Sequence, residues 1–494
     1  MLIFNPIEIL KRQWYWLQLE NFSISRFLLV FSKKWSEPIS PPRKEIVWTG
    51  KLRLVAMLAL FLQSFISSWS ALWGMKIFLN FNFSFWLVLI FLFFWASFFY
   101  FLIFFHFTFL VLSLWLLGPS DFLFKYLIIS SAKKKIGRLS HLTIIGVAGS
   151  YGKTTVKEVL SAVLSTKFKV VKTPDNINTP LGVSRIIRRD LNSQTDIFIA
   201  EMGAYKRGDI KRLCFLAPPS ISVLTGINES HLERFKTMQN TVSAKFELIT
   251  HTHPKGRVIL NADNDWVLKE YEKYLGERKV FFYGSTQHSK ISYEVRNKTF
   301  FEDGSGTAFE FSYDGDQFHY VKVPFLADYI IGVIGAVWII GRELRLTDND
   351  IVRGLALLRP VPHRLEVLIR SGNILVIDDS YNANPDGVRE AINVLAKFKT
   401  RRKVYVTPGL VEMGSGSSEI HQALGRQLAG VADLVVLIKN SSTPFMAQGL
   451  KSSGFPESNI IWYNSSTEVF GSTAGFVRSG DVVMFQNDWP DNYT

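Results

Sequence analysis

Cysteine is nearly absent from this chain of 494 residues, in which Cys214 is the only one. One cysteine excludes a disulfide framework and a cysteine-built zinc site within a single chain. A reducing compartment fits this usage. We expect Cys214 to be a buried structural thiol.

Acidic residues are missing from one long stretch, since none occurs between Glu45 and Asp121. The stretch is rich in Phe, Leu and Trp, and its apolar run is too long for one membrane crossing of about 20 residues. Division at the polar, turn-like Asn80 to Ser84 predicts two spans, near Leu54 to Leu79 and near Phe85 to Leu117, the second long enough to break. A soluble apolar core is the alternative, which the missing acids disfavour.

The formal net charge is +14, and much of the basic excess flanks this apolar stretch. The flanking basic residues are Lys33, Lys34, Arg43, Lys44, Lys51 and Arg53 before it, and Lys125, Lys133, Lys134, Lys135 and Arg138 after it. Both clusters should stay cytoplasmic, which an even number of spans achieves. We therefore expect a lipid bilayer as partner, a cell-membrane location with cytoplasmic catalytic domains, and no nucleic acid, because no nucleic-acid motif is present.

The rest of the chain is organised around Leu142 to Thr155, which reads LTIIGVAGSYGKTT. A short buried strand, a glycine-rich turn and an amphipathic helix from Val156 to Leu164 form the pattern of a phosphate-binding loop. The outer glycine, Gly146, stands one place earlier than in the strict pattern, and a coincidental turn is the alternative. The residues expected to contact ATP are Gly149, Ser150, Gly152, Lys153, Thr154 and Thr155, with Thr154 also able to ligate Mg²⁺.

The pattern along the chain predicts five parts. Residues 1–50 form a basic and aromatic arm, which is either interfacial or else disordered or locally packed. Residues 51–120 form the transmembrane helices, and residues 121–140 a basic linker. Residues 141–358 repeat strand, turn and helix, which predicts an α/β ATP-binding domain with an antiparallel appendage at Lys290 to Val323. Residues 359–494 predict a second doubly wound, Rossmann-like α/β domain.

Three further residues stand near predicted strand ends or on a predicted helix. Glu201 ends a strand and could hold Mg²⁺, since a hard cation prefers carboxylate oxygens. His231 follows another strand, and Lys245 lies on a predicted helix. Each residue alone is interpreted more simply as a surface or capping residue. Together with a phosphate-binding loop, the three residues indicate one functional site.

Together these motifs resemble the Mur ligases, ATP-dependent amide-forming enzymes of cell-wall synthesis. The resemblance covers His141 to the C-terminus and rests on these runs: Gly149 to Glu158, Glu201 to Ala204, His231 to Glu233, Ala244 to Glu247, Asn261 to Asp263, His363 to Glu366, and Asp378 to Pro385. It implies an acid–amino acid ligase that makes an acyl phosphate from a muramoyl-peptide-like acceptor and joins it to an amino acid or dipeptide, with D-alanyl-D-alanine favoured.

The resemblance also implies roles for single residues. Lys153 would hold the β and γ phosphates, and Arg364 would contact phosphate. Metal ligands for two Mg²⁺ ions would be Thr154, Glu201, His231 and Lys245, the last as a carbamate formed with CO₂. Nucleotide contacts would come from Asn261, Asp379, Tyr381 and Asn382, and substrate contacts from Asn176 and Asn178. Closure of the C-terminal domain about Pro360 to His363 would complete the site.

The chain also departs from the family pattern. The membrane region stands where soluble members have a uridine-binding domain, the His-Asn segment appears as Asp328-Tyr329 with Gly332 in place of an asparagine, and the final turn reads Gln486 to Asp491. Two alternatives follow: a membrane-anchored Mur-like ligase for another carboxylate acceptor, lipid-linked or polymeric, or a catalytically silent nucleotide-binding scaffold.

Overall fold

The computed structural model describes residues 6–20, 22–34, 46–80, 85–174, 177–229, 232–285, 288–371, 373–381, 384–410, 413 and 416–487. The chain forms two compact units that divide between Leu127 and Ile128.

The first unit is helical. Its helices are α1 (Pro6–Leu19), α2 (Ile24–Lys34), α3 (Gly50–Asn80), α4 (Phe85–Phe104) and the beginning of α5 (His106–Gly137). The second predicted span is therefore broken at Phe105 into two helices. The predicted basic linker also differs from the structure, because α5 continues through it to Gly137, where buried Ile128 and Ala132 occur at helical spacing.

Two of these helices, α3 over Gly50–Lys76 and α5, are long and apolar enough to cross a membrane by length and composition. Only 28% of the most apolar window of α3 and 17% of that of α5 is buried. On α3 the side chains that are half or more exposed recur at helical spacing, and include Leu54, Met57, Phe61, Phe65, Trp69, Leu72 and Trp73. This helix therefore presents an apolar face that no described residue covers.

The N-terminal arm packs locally, which is one of the arrangements expected for it from the sequence. Leu17 of α1 and Phe27 of α2 are fully buried in the core of this unit. His106 is also buried; its Nε2 accepts a hydrogen bond from Trp14 Nε1 at 3.1 Å, and its Nδ1 lies 2.8 Å from Gln63 Oε1. This histidine is a packed one, satisfied by two polar neighbours.

The second unit contains two α/β domains. The first has a six-stranded parallel sheet in the order β2-β3-β1-β4-β5-β6. Its strands are β1 (Thr143–Ala148), β2 (Val170–Lys172), β3 (Ile197–Glu201), β4 (Ile221–Leu224), β5 (Arg257–Asn261) and β6 (Lys279–Tyr283). Its helices are α6 (Lys153–Leu164), α7 (Pro180–Asp190), α8 (Asp209–Leu216), α9 (Leu232–Phe235), α10 (Met238–Thr250), α11 (Asp265–Glu270), α12 (Glu272–Leu275), α13 (Tyr329–Glu343) and α14 (Asp348–Ala356). Because all six strands are parallel, their carboxyl ends share one edge, where such sheets bind ligands.

The predicted antiparallel appendage is present as a three-stranded sheet. It consists of β7 (Tyr293–Phe301), β8 (Gly306–Tyr313) and β9 (His319–Val323). Phe311 of this sheet stacks on Trp338 of α13 with ring centroids 4.6 Å apart. The appendage thus continues the core of the ATP-binding domain.

The last domain has the sheet order β10-β11-β15-β12-β13-β14, with only β10 antiparallel to its neighbour. The strands are β10 (Glu366–Ser371), β11 (Ile374–Asp379), β12 (Arg402–Thr407), β13 (Leu434–Ile438), β14 (Ile460–Tyr463) and β15 (Asp481–Gln486). The helices are α15 (Pro385–Ala396), α16 (Ser417–Ala429), α17 (Thr443–Ser452) and α18 (Ser466–Gly471). The predicted pair of α/β domains is confirmed.

Candidate nucleotide site

The glycine-rich loop joins β1 to α6. Gly149 has φ 151° and Gly152 has φ 74°, conformations that favour glycine. A Cβ at Gly149 would collide with the hydroxyl of Thr225 at the end of β4. The Nζ of Lys153, the first residue of α6, donates to the Gly149 carbonyl at 2.9 Å. The loop therefore wraps around its own lysine at the positive end of a helix.

Burial lowers the pKa of the Lys153 ammonium, as do the nearby cations Arg364 and Lys157, while Glu201 opposes the shift. Three cations and one carboxylate meet here, so the site carries an excess of positive charge. A polyphosphate would relieve that repulsion.

Glu201, the last residue of β3, is buried and held by three side chains. Thr154 Oγ1 donates to Glu201 Oε2 at 3.1 Å, Lys157 Nζ lies 3.2 Å from the same oxygen, and Asn178 Nδ2 donates to Oε1 at 3.2 Å. The contact of Thr154 with Glu201 brings two predicted metal ligands together. The Lys157 pairing is not among the sequence predictions, although its spacing four residues after Lys153 places both lysines on one face of α6.

Lys245 lies inside the domain on α10. Burial, with the neighbouring Lys153, lowers the pKa of its amine to about 7. Its Nζ lies 5.6 Å from the centroid of the Phe235 ring. No described acidic residue forms an ion pair with Lys245.

Three predicted site residues, Asn176, His231 and Asn382, lie outside the described residues. Asn178, predicted to face substrate, contacts Glu201 as given above. The substrate-side loop therefore reaches the carboxylate at the phosphate end of the site.

A cavity of about 220 Å³ lies between the loop and the C-terminal domain. The predicted residues on its wall are Gly152, Thr154, Thr155, Asn261, Arg364 and Asp379. Sequence reasoning missed further wall residues, including Tyr151, Thr225, Asp263, Tyr283, Asn384, Asp386 and Glu390. Tyr151, Asp263, Asn384 and Asp386 stand inside or beside quoted motifs, which is the signal that could have identified them.

The C-terminal domain supplies a cation and a carboxyl group to this wall. The Arg364 guanidinium lies 4.6 Å from the centroid of the Tyr381 ring. Burial raises the pKa of Asp379 to about 7, although Arg364 and a hydrogen bond from the Leu365 amide at 3.3 Å both oppose the shift. Arg364, Tyr381 and Asp379 thus form one group at the beginning of the domain.

Asn228 joins the two domains across the cavity. Its Nδ2 donates to Asn384 Oδ1 at 2.9 Å and to Asp386 Oδ2 at 2.8 Å, both at the first turn of α15. Its own amide donates to Ser150 Oγ at 3.3 Å, in the phosphate loop. The phosphate loop and the second domain are therefore connected through one residue, whose backbone amide contacts the loop and whose side chain contacts the second domain.

Tyr329 and Gly332, two of the positions at which the chain departs from the family pattern, also line the cavity. The Tyr329 side chain hydrogen-bonds with that of Thr155, and burial raises the pKa of Tyr329 to about 12. A Cβ at Gly332 would lie 2.9 Å from the carbonyl carbon of Gly284, so the close approach of α13 to that loop excludes an asparagine side chain without a backbone shift. In the third departure, buried Gln486 accepts a hydrogen bond from Thr407 at 3.1 Å, and residues 488–491 lie outside the described chain.

Both α/β domains match known protein families. Residues 147–332 match the Mur ligase middle domain, and residues 363–486 match the Mur ligase, glutamate ligase domain.

Individual relatives agree with that assignment. The UDP-N-acetylmuramoyl-tripeptide--D-alanyl-D-alanine ligase of Bacillus subtilis is 25% identical over 69% of this chain and 72% of its own length. The enzyme of the same name from Escherichia coli is 29% identical over 62% of this chain and 67% of its own length. Among solved structures, the MurF ligase of Thermotoga maritima in complex with ADP is 30% identical, covers 74% of this chain and 80% of its own, and superposes with a TM-score of 0.64.

Proposed function

Because the chain belongs to the Mur ligase family and is therefore an ATP-dependent ligase of cell-wall precursor synthesis that forms a carbon–nitrogen bond, we propose that it joins D-alanyl-D-alanine to a muramoyl-tripeptide. The observation that carries the proposal is the cavity between the two α/β domains, which the phosphate loop and Arg364 of the second domain both line. Relatives that carry this activity in their names support the choice of acceptor and amine.

The proposed nucleotide contacts come from the cavity wall and from residues beside it. Lys153 would leave the Gly149 carbonyl and bind the β and γ phosphates together with Arg364, which lines the cavity. Asn261, Asp379 and Tyr381 would contact the rest of the nucleotide. Since phosphoryl transfer depends mostly on positioning and on neutralising charge, two cations from two domains suit it.

The donor set also fits Mg²⁺. The Thr154 hydroxyl and the Glu201 carboxylate are hard oxygen donors already in hydrogen-bond contact, and a second ion would involve His231. Mg²⁺, when bound, supplies charge neutralisation on the transferred phosphoryl group. Lys157 and Asn178 keep the carboxylate of Glu201 oriented toward the loop.

The environment of Lys245 suits carbamylation. A neutral amine is the form that attacks CO₂, and a pKa of about 7 provides it. The new N–C bond releases a proton and turns a cation into an anionic oxygen group, which relieves repulsion from Lys153. We expect a ¹³C resonance from ¹³C-bicarbonate that disappears in Lys245→Ala.

The reaction proceeds through an activated acceptor. A carboxylate is a poor electrophile, so an acceptor oxygen attacks the γ-phosphorus of ATP, ADP leaves, and an acyl phosphate forms. The amine of the dipeptide then attacks the acyl carbon, loses a proton, and phosphate leaves. Closure through Asn228 would keep water from the acyl phosphate between the two steps.

We also propose that α3 and α5 anchor the enzyme in the cell membrane with its catalytic domains in the cytoplasm. The exposed apolar face of α3 and the basic residues around the apolar helices support this location. A membrane-bound enzyme could also take a lipid-linked acceptor, and the assay below distinguishes the two.

Phosphate release by the detergent-solubilised full chain tests the proposal. With ATP, Mg²⁺ and bicarbonate present, we expect release only when the UDP-linked tripeptide and D-alanyl-D-alanine are both added. Lys153→Ala should abolish it, whereas Lys255→Ala, at an exposed lysine, should not. If ATP binds but this pair gives no stimulation while a lipid-linked tripeptide does, the soluble acceptor is wrong.

A further inference from the structure

Lys157 of α6 is a lysine whose side chain has no exposed surface. Its Nζ lies 3.2 Å from Glu201 Oε2 and 4.0 Å from Glu158 Oε1, and Glu158 also pairs with Lys172. The hydroxyl of Thr154 donates to the same Oε2 of Glu201 at 3.1 Å. One carboxylate oxygen is therefore shared by an ammonium group and a hydroxyl group.

The shared oxygen is also the one best placed to bind a metal ion, because the Thr154 hydroxyl, the other oxygen ligand proposed for Mg²⁺, lies beside it. Asn178 donates to the second carboxylate oxygen at 3.2 Å, which limits rotation of the carboxylate away from Lys157. Mg²⁺ binds oxygen at about 2.0 to 2.1 Å. An ion bound to Oε2 would thus stand within about 5 Å of the Lys157 ammonium group.

Without nucleotide, the site has more positive than negative charge. Lys153, Lys157 and Arg364 are its cations, and Glu201 is the carboxylate that opposes them. The ion pair with Lys157 already neutralises this carboxylate. A divalent ion added to the pair would meet a like charge at short range in a buried site, where water screens little. Such repulsion should weaken metal binding by on the order of a hundredfold.

The phosphates of a nucleotide would remove this obstacle. Bound by Lys153 and Arg364, they would bring several negative charges to the same loop and so give the site an excess of negative charge. Mg²⁺ in such sites is commonly held by one or two carboxylates together with substrate phosphates. Metal and nucleotide should therefore bind cooperatively, each raising the affinity for the other by the same factor.

We propose that Lys157 makes metal binding at Glu201 depend on nucleotide. Its ammonium group neutralises the carboxylate when no nucleotide is bound, so Mg²⁺ is held tightly only together with the phosphates and leaves with the product nucleotide. Lys157 acts through Glu201 and is thus a positioning residue. The proposal rests on the metal ligands proposed above, Thr154 and Glu201, and is independent of the identity of the acceptor.

Binding of Mn²⁺ in place of Mg²⁺, followed by electron paramagnetic resonance, tests this dependence in the detergent-solubilised full chain. Without nucleotide, the unsubstituted protein should bind Mn²⁺ weakly, and Lys157→Met should bind it on the order of a hundredfold more tightly. Lys157→Gln keeps a hydrogen-bond donor without the charge and should also bind it more tightly. Lys157→Arg keeps the charge and should bind Mn²⁺ as weakly as the unsubstituted protein does.

Three controls accompany these variants. Lys255→Met removes one positive charge at an exposed lysine and should leave the affinity for Mn²⁺ unchanged. Binding of ADP by each variant shows that the nucleotide-binding domain is folded. Lys157→Met/Glu201→Gln should lose the tight binding, because the carboxylate that holds the ion is gone.

The contradicting results separate this dependence from the metal site itself. If Lys157→Met and Lys157→Gln bind ADP but bind Mn²⁺ no more tightly than the unsubstituted protein, Lys157 does not control the metal, and the proposed ligands still stand. If tight binding survives in Lys157→Met/Glu201→Gln, Glu201 is not the ligand, and the proposed ligands and the dependence are both wrong. Neither result changes the choice of acceptor, which the phosphate-release assay tests.

Discussion

The buried ion pair between Lys157 and Glu201 gives the sharpest stability prediction. Both side chains are at most 2% exposed, and their charged atoms lie 3.2 Å apart. Lys157→Met keeps the apolar stem but leaves Glu201 as a buried carboxylate without its cation. Such a loss costs roughly 3 to 5 kcal/mol, most of it the penalty of the unpaired charge.

Hydrogen exchange of the β3 amides in the full chain measures this cost, since β3 is paired on both sides, with β2 and β1, and ends at Glu201. The double variant Lys157→Met/Glu201→Gln should recover part of the loss, because it removes the buried carboxylate together with the cation that pairs with it. Mg²⁺ with ADP should also restore part of the stability of Lys157→Met if the carboxylate of Glu201 accepts a metal ion.

The exposed pair between Arg296 and Glu310 is the control, because its side chains are 52% and 31% exposed. Arg296→Met should cost less than about 1 kcal/mol. If Lys157→Met costs no more than this control, the buried pair does not stabilise the domain.

Three more predictions follow from single side chains. In CO₂-free buffer, Lys245→Met should stabilise the protein most near pH 6, and this gain in stability should shrink by roughly 4 kcal/mol by pH 10. The reason is that the pKa of Lys245 is about 7 in the folded protein and 10.5 in the unfolded chain. Between these two pH values the unfolded chain binds more protons than the folded protein, so the stability of the unsubstituted protein rises with pH. Asn228→Ala removes hydrogen bonds to Asn384 and Asp386 and should raise KM for ATP roughly tenfold or more, because a bond to a charged group contributes about 1.5 to 3 kcal/mol. Burial raises the pKa of Cys214 to about 12, so iodoacetamide should modify it only after denaturation.

Each of these predictions has a contradicting result. A stability gain for Lys245→Met that does not vary between pH 6 and pH 10 would mean that the amine is not desolvated. An unchanged KM in Asn228→Ala, measured beside the exposed-site variant Asn349→Ala, would mean that closure does not depend on this bridge. Rapid alkylation of Cys214 in the native protein would place the thiol at the surface.

The phosphate loop was predictable from sequence because its structure is local. Gly149 and Gly152 adopt positive φ, and Lys153 begins the helix within the same short run. The strand ends at Glu201 and Asn261 were predictable for a related reason, since an apolar run followed by polar residues indicates the carboxyl end of a parallel strand.

Contacts between distant residues were not predictable in this way. Asn228 meets Asn384 across 156 positions of sequence, and only the packing of two domains brings them together. The break between α4 and α5 has no proline or glycine to mark it, while Pro119 lies inside α5 without ending it. The roles of Arg364, Asp379 and Lys245 came from family resemblance rather than from spacing, and they stay predictions.

Oxygen transfer tests the central claim most directly, namely that ATP activates a carboxylate for amide formation. The acceptor, labelled with ¹⁸O in its carboxylate, is incubated with ATP, Mg²⁺ and D-alanyl-D-alanine, and the released phosphate is analysed by mass spectrometry. The account predicts one ¹⁸O atom in each phosphate, because the acceptor oxygen that attacks the γ-phosphorus leaves with it. Phosphate free of ¹⁸O, released at the rate of amide formation, would contradict the account.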